Sequence, residues 1–164
     1  MRLRRGHAVA ALAALGWAAA SSCGYTLGAG AARLPPGAER VFVRPLENRT
    51  TDADAGAIVG SAIRQELGRR HADGDPASPA RIEGAVEEIS FGASSPDGST
   101  YRLALVVSAR LLVRGALVAE QRARREEDWL AGIDALESEG RRRVALRHAA
   151  DAVARDLVDA FERP

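Results

Sequence analysis

Residues 101–113 read Tyr-Arg-Leu-Ala-Leu-Val-Val-Ser-Ala-Arg-Leu-Leu-Val, and no other stretch of the chain alternates as cleanly. Every second side chain from Tyr101 to Val113 is apolar, whereas the intervening set mixes Arg and Ser with small apolar residues. Because successive side chains of a strand point to opposite faces, this pattern predicts a strand with one face on the core. The second face is predicted to be wet or to face a partner.

Further strand-like segments lie on both sides of this strand. Residues 81–91 alternate and then change phase, which predicts a β-bulge near Glu87-Glu88. Residues 92–100 contain Ser, Pro, Asp and Gly and predict a hairpin loop. On the other side, 114–116 predicts a tight turn that leads into a last strand over 117–129.

Two amphipathic helices complete the pattern. One is predicted from near Ala53 to near His71, with Thr51 or Asp52 as its N-cap. The other is predicted over about 133–161, with an apolar stripe at Leu146, Ala150, Val153, Leu157 and Phe161.

A short strand over 40–44 precedes the first helix, so the predicted order is β-α-β-β-β-α. The predicted class is α+β, with two helices packed on one face of a four-stranded mixed sheet.

Composition excludes several function classes. The chain has 164 residues, with 23 basic residues, all Arg, against 22 acidic ones spread throughout, so it lacks the basic face that nucleic-acid binding needs. Cys23 is the only cysteine, which excludes an internal disulfide and a Cys-based zinc site, and three His are too few for a His-rich site. We therefore expect no metal, no non-covalent cofactor and no nucleic-acid partner.

The amino terminus resembles a lipoprotein signal. A positively charged start precedes an uncharged run over 8–22, which at 1.5 Å per residue is about 22 Å long and too short for a membrane span. It ends in Ala20-Ser21-Ser22-Cys23, which resembles a bacterial lipobox and implies diacylglycerol and an N-acyl chain such as palmitate on Cys23. An ordinary secretory signal with a chance cysteine is the alternative.

This interpretation divides the chain into three regions. Residues 1–22 are the predicted signal peptide, 23–38 the lipidated cysteine with its tether, and 39–164 a single domain. Gly24, in place of the Asp that retains lipoproteins in the inner membrane, favours the periplasmic side of the outer membrane.

Catalytic motifs are missing from the sequence. It contains no G-x-S-x-G, H-E-x-x-H or P-loop pattern, and we expect no enzyme activity. Asn48-Arg49-Thr50 matches a glycosylation sequon but is interpreted as a turn and cap.

Two segments resemble the lipopolysaccharide-assembly lipoproteins (LptE). Cys23-Gly24-Tyr25-Thr26-Leu27 is similar to the start of their mature chains, and the strand and Asn-x-Thr loop over 41–50 are similar to the next segment of those chains. The resemblance implies a plug subunit inside the β-barrel LptD, which assists assembly of the lipopolysaccharide translocon and delivery of lipopolysaccharide to the cell surface. It also implies lipopolysaccharide contact by basic residues near loop tips at one end, for which Arg102, Arg124 and Arg125 are the candidates by position.

Other functions stay open. Outer-membrane lipoproteins that regulate peptidoglycan synthases, and those of the curli-secretion type, also begin with a short strand, an Asn-x-Thr loop and a helix. A periplasmic hydrolase would need a nucleophile and base pair that the sequence does not offer.

Overall fold

The computed structural model describes residues 33–163, so Cys23, the signal peptide and most of the tether lie outside the described residues. The described chain forms five strands and two helices. They are β1 (Val41–Val43), β2 (Glu47–Asn48), α1 (Ala55–Arg69), β3 (Ala80–Ala93), β4 (Thr100–Val113), β5 (Ala116–Leu130) and α2 (Ala135–Phe161).

All five strands belong to one mixed sheet. Its order is β1-β3-β4-β5, and β2 continues the edge of β3 beyond β1. β1 and β2 pair with β3 in parallel, whereas β3, β4 and β5 pair antiparallel. The predicted α+β class and element order are confirmed, and the short strand β2 is the one addition.

The predicted bulge is also confirmed. The register of β3 against β4 moves from Val86 opposite Val107 to Glu88 opposite Val106, so Glu87 is the extra residue. The shift brings Ile89 onto the same face as Val86, which is how β3 keeps its apolar side chains over the core.

Both helices cover one face of the sheet. α1 contacts β1, β2 and β3, α2 contacts β4 and β5, and the two helices contact each other. The predicted core face of β4 is buried from Leu103 to Leu111, and the predicted stripe of α2 is buried to Phe161. Tyr101 is the exception to the predicted core face, because 37% of it is exposed.

The opposite face of the sheet carries charged side chains above small apolar ones. Ala104 and Val106 face this side and are nonetheless buried. Val106 lies between Glu88 and Arg124 on the neighbouring strands, and the stems of such long side chains cover apolar surface while their charged groups stay in water. We call this side of the sheet the outer face.

The domain has two distinct ends. The hairpin end holds the β4–β5 turn, the start of β1 and the carboxyl ends of both helices, which Arg70 joins through Asp159 and Glu162. The loop end holds the β3–β4 loop, the end of β5 at Leu130 and the amino ends of both helices.

Candidate functional site

An aromatic cluster marks the loop end. Trp129 stacks on Tyr101 with ring centroids 5.5 Å apart and meets Phe91 edge-on at 6.1 Å. Phe91 and Tyr101 are both exposed, although they lie on the helix-facing side of the sheet. The helices leave both rings partly uncovered, so aromatic surface stays open to a ligand or partner.

Arg142 on α2 fixes the border of this cluster. Its guanidinium carbon lies 5.1 Å from the centroid of the Phe91 ring. Nη1 donates to Asp52 at 2.8 Å, and Nε and Nη2 donate to Glu139 at 2.7 and 2.8 Å. The hydrogen bonds from Arg142, with a further one from Arg143, lower the pKa of Glu139 to about 2. These contacts hold the amino ends of the two helices together beside the aromatic rings.

The loop containing Asn48 positions Asp52 for that contact. Asn48 Nδ2 donates to the Asp52 carbonyl at 2.7 Å, and its Oδ1 accepts from Thr50 N and Oγ1 at 3.1 and 2.8 Å. The predicted turn at Asn48-Arg49-Thr50 is confirmed. The predicted N-cap of α1, Thr51 or Asp52, is wrong. Asp54 is the N-cap, and its side chain makes no capping bond.

A groove runs along the helix side of the loop end. It has a volume of about 820 Å³, and its apolar wall includes Ile58, Phe91 and Leu146. Arg143 and Arg147 lie on its rim. Asp52 and Asp54 also line the groove, so both charge signs lie next to its apolar side chains.

The structure brings two of the three predicted arginines together. Arg102, near the loop end, and Arg124, in the middle of β5 opposite Val106 rather than at a loop tip, share the outer face and border a depression of about 360 Å³. Arg102 Nε and Nη2 donate to Asp128 at 2.8 and 2.9 Å, and Arg124 Nη2 donates to Glu126 at 2.8 Å. Glu126 also lies 3.7 Å from Arg102 Nη1, so the two arginines belong to one ion-pair network.

These ion pairs leave binding capacity on both arginines. About half of each side chain is exposed. A guanidinium has five N–H donors, and the carboxylates engage two on each residue. The remaining donors can bind a second anionic group such as a phosphate.

Arg125 lies apart from this pair. As the neighbour of Arg124 on a strand, it points to the helix-facing side of the sheet. There it makes a two-pronged ion pair with Asp156 on α2. The three candidates therefore do not form a single cluster.

An exposed apolar group at the loop end was not predicted from the sequence. Leu130, Ile133 and Leu136 surround the β5–α2 connection, and 96% of Ile133 is exposed. Arg141 holds this connection in place through a 2.9 Å bond to the Ala131 carbonyl. In the sequence, this group is visible as large apolar residues at intervals of three directly after Trp129.

Residues 33–163 hold neither a metal-binding cluster nor a helix that could span a membrane. That part of the chain contains no group of three His, Cys, Asp or Glu side chains placed to hold a metal ion. Neither α1 nor α2 is both long and apolar enough to cross a membrane.

Comparisons with known proteins support one family. The LptE family model, described as lipopolysaccharide-assembly, matches residues 38–161. No curated protein matches the chain. Among solved structures, the PelC dodecamer from Paraburkholderia phytofirmans is 21% identical, with a TM-score of 0.56 over 82% of this chain and 94% of that one. A minor lipoprotein from Acinetobacter baumannii is 10% identical, with a TM-score of 0.52 over 75% and 90%. At these identities the likeness concerns the fold.

Proposed function

Since this chain belongs to the LptE lipopolysaccharide-assembly family, we propose that it is an outer-membrane lipoprotein of the lipopolysaccharide translocon. In this role it assists assembly of the β-barrel subunit LptD and delivery of lipopolysaccharide to the cell surface, without enzyme activity of its own. The extent of the family match, over residues 38–161, supports the proposal for the domain as a whole.

Anchoring through Cys23 is part of the proposal. The lipobox-like sequence supports it, with acyl chains that hold the domain on the periplasmic side of the outer membrane. Mass spectrometry of the mature amino-terminal peptide is expected to give Cys23 carrying diacylglycerol and an N-acyl chain. A free thiol at Cys23 would contradict this part, and Cys23→Ala is expected to release the protein from membranes.

The observation that carries the ligand proposal is the juxtaposition at the loop end. Arg102 and Arg124 lie on the outer face, and the apolar surface of Phe91 and Tyr101 lies at the same end of the sheet. Lipopolysaccharide combines phosphate groups with acyl chains, and arginine binds phosphate through paired hydrogen bonds. The arrangement therefore suits an anionic amphiphile.

The binding test compares arginines on the same face. We expect the double substitution Arg102→Ala/Arg124→Ala to raise the Kd for purified lipopolysaccharide about tenfold, since two charge-assisted contacts are lost. Arg110→Ala is the matched control, because Arg110 is exposed on the outer face of β4 toward the hairpin end. Equal losses in both variants would indicate non-specific attraction and contradict the site. Arg125→Ala tests the third candidate separately.

The partner test is co-purification. Detergent extracts of membranes that contain the tagged full-length protein are expected to yield an outer-membrane β-barrel in a stable complex. Recovery of a peptidoglycan synthase without a β-barrel would instead favour the regulatory lipoproteins that share the early Asn-x-Thr pattern.

A further inference from the structure

We propose that the exposed aromatic cluster of Phe91, Tyr101 and Trp129 binds a sugar ring of the ligand by stacking, next to the arginines that bind its phosphates. A ligand such as lipopolysaccharide has two kinds of apolar surface, its acyl chains and the C–H faces of its sugar rings. The cluster contacts the second kind. This inference rests on the proposed function and names the part of the ligand that the cluster contacts.

Aromatic side chains are rare in this chain and are concentrated at the cluster. Residues 33–163 contain five, and three of them form the cluster. Phe91 is 45% exposed and Tyr101 is 37% exposed, whereas Phe161 is buried in the core. The face of an aromatic ring carries partial negative charge, and the C–H groups on the flat side of a pyranose carry partial positive charge. An exposed ring therefore attracts a sugar face in a way that an aliphatic side chain does not.

The rings are held in place by their neighbours. Trp129 stacks on Tyr101 with an angle of 24° between the ring planes, and it meets Phe91 at 85°. Arg142 lies over the Phe91 ring and is itself held by two carboxylates. Rigid rings lose little conformational freedom on binding, which favours contact with a ligand as strongly hydrated as a sugar.

The polar groups beside the cluster match the hydroxyl groups of a sugar. Phe91 also borders the depression on the outer face, together with Arg102, Arg124, Glu126 and Ser94. A guanidinium donates hydrogen bonds, a carboxylate accepts them and a serine hydroxyl does both, and sugar hydroxyls supply the complementary partners. An acyl chain supplies none, so its binding would remove water from these groups without replacing their hydrogen bonds.

An aliphatic surface at the same end provides a comparison. Leu130, Ile133 and Leu136 are each more exposed than either Phe91 or Tyr101. An acyl chain binds through the burial of apolar surface alone, so it would bind this aliphatic group at least as well as the rings. A preference for the rings therefore indicates a sugar.

The experiment uses the mature acylated protein in vesicles of phosphatidylethanolamine and phosphatidylglycerol. Trp129 is the only tryptophan in residues 23–164, so the tryptophan fluorescence reports on the cluster. The sugar probe is core oligosaccharide released from lipopolysaccharide and dephosphorylated, which carries neither acyl chains nor phosphate. Hexanoate is the acyl probe. We expect a saturable change in Trp129 emission with the oligosaccharide and none with hexanoate at the same concentration.

Two substitutions at Tyr101 separate the contribution of the ring from that of apolar surface. Tyr101→Leu is expected to raise the Kd for the oligosaccharide about fivefold, because the aromatic face is lost. Tyr101→Phe keeps the ring and is expected to leave this Kd unchanged. Ile133→Ala is the matched control in the aliphatic group and should also leave it unchanged. Circular dichroism verifies that each variant is folded.

The outcomes separate this inference from the proposed function. A response to hexanoate but not to the oligosaccharide, in a protein that still binds intact lipopolysaccharide, overturns the sugar contact and leaves the proposed function intact. Equal losses in Tyr101→Leu and Ile133→Ala, or in Tyr101→Leu and Tyr101→Phe, also overturn it. Binding of the oligosaccharide without binding of intact lipopolysaccharide supports the sugar contact and contradicts lipopolysaccharide as the ligand. A protein that binds neither overturns both proposals.

Discussion

At Gly84 the backbones of β3 and β4 approach so closely that a side chain has no room. A Cβ there would overlap the Ser108 carbonyl oxygen and lie 3.0 Å from Ala109 Cα, both of them backbone atoms. Because backbone cannot rotate away, Gly84→Ala must push the central strands apart. We expect the free energy of unfolding, measured by urea titration, to fall by about 1–3 kcal/mol.

The control for this prediction lies on the same strand. A Cβ on Gly92 would meet nothing within 4 Å, so Gly92→Ala is expected to change the free energy of unfolding by less than about 0.5 kcal/mol. Equal losses in the two variants would show that a general cost of replacing glycine in β3, rather than the approach of Ser108, explains the result.

Single residues show where sequence reasoning stops. Alternation alone predicts that Arg124 and Arg125 point to opposite faces. It does not give their partners, because Asp156 lies 31 positions beyond Arg125 and reaches it only once α2 has packed on the sheet. Likewise, Gly84 matched the alternating pattern of β3, but the need for glycine comes from the backbone of another strand.

The two helices begin in different ways, and α2 has the stronger amino-terminal cap. Asp134 accepts a 2.8 Å hydrogen bond from Glu137 N, and the Glu137 carboxylate accepts one from Ile133 N at 2.8 Å. The bond from Ile133, with a further one from Arg141, lowers the pKa of Glu137. This reciprocal arrangement satisfies amide groups that the first turn of a helix leaves unpaired.

Asp134→Ala removes that cap. We expect the free energy of unfolding to fall by about 1 kcal/mol, measured by thermal or urea denaturation followed by circular dichroism. Asp54→Ala is the matched control, because Asp54 holds the same position on α1 without a side-chain capping bond. A loss in Asp54→Ala as large as in Asp134→Ala would contradict the assignment of the effect to the cap.

Long elements with a regular apolar pattern were predictable from the sequence, whereas short polar elements were not. The stripes of β4 and α2 gave both elements and their buried faces, and the change of phase in β3 gave its bulge. β2 has only Glu47 and Asn48 and exists because β3 continues past β1 and offers a free edge. Tyr101 continued the apolar alternation, but neither helix packs over it fully, and 37% of it stays exposed.

At the scale of the whole molecule, arginine–carboxylate pairs join the layers. Arg125 links the sheet to α2, Arg142 links α2 to the Asn48 loop, and Arg70 links α1 to the end of α2. Burial acts to raise the pKa of Glu66, but hydrogen bonds from Arg69 and Arg70 outweigh it and leave that pKa lowered. The stability of the domain is therefore coupled to the ionisation of these carboxylates.

This coupling predicts acid unfolding with a defined sign. A carboxyl group whose pKa is lower in the folded than in the unfolded chain stabilises the fold above its unfolded pKa, near 4.5, and loses that contribution as the pH falls. The pKa of Glu139 is about 2, so the loss is expected to begin below pH 4.5 and to continue down to that value. Urea midpoints measured at pH 7, 5, 4, 3 and 2 are expected to stay level between pH 7 and 5 and to fall progressively below.

A matched variant assigns part of the pH dependence of the urea midpoint to one carboxylate. Glu139→Gln keeps the shape of the side chain but removes the charge that Arg142 and Arg143 contact, so it is expected to lower the urea midpoint at pH 7. It is also expected to flatten the decrease between pH 4.5 and 2, because Gln does not titrate. Asp54→Asn, at a carboxylate without an ion pair among residues 33–163, is the matched control and should leave the urea midpoint at pH 7 unchanged. Urea midpoints of the unsubstituted chain that are equal at pH 2 and pH 7 would contradict a fold held together by ionised carboxylates, since protonation would then cost the native state nothing.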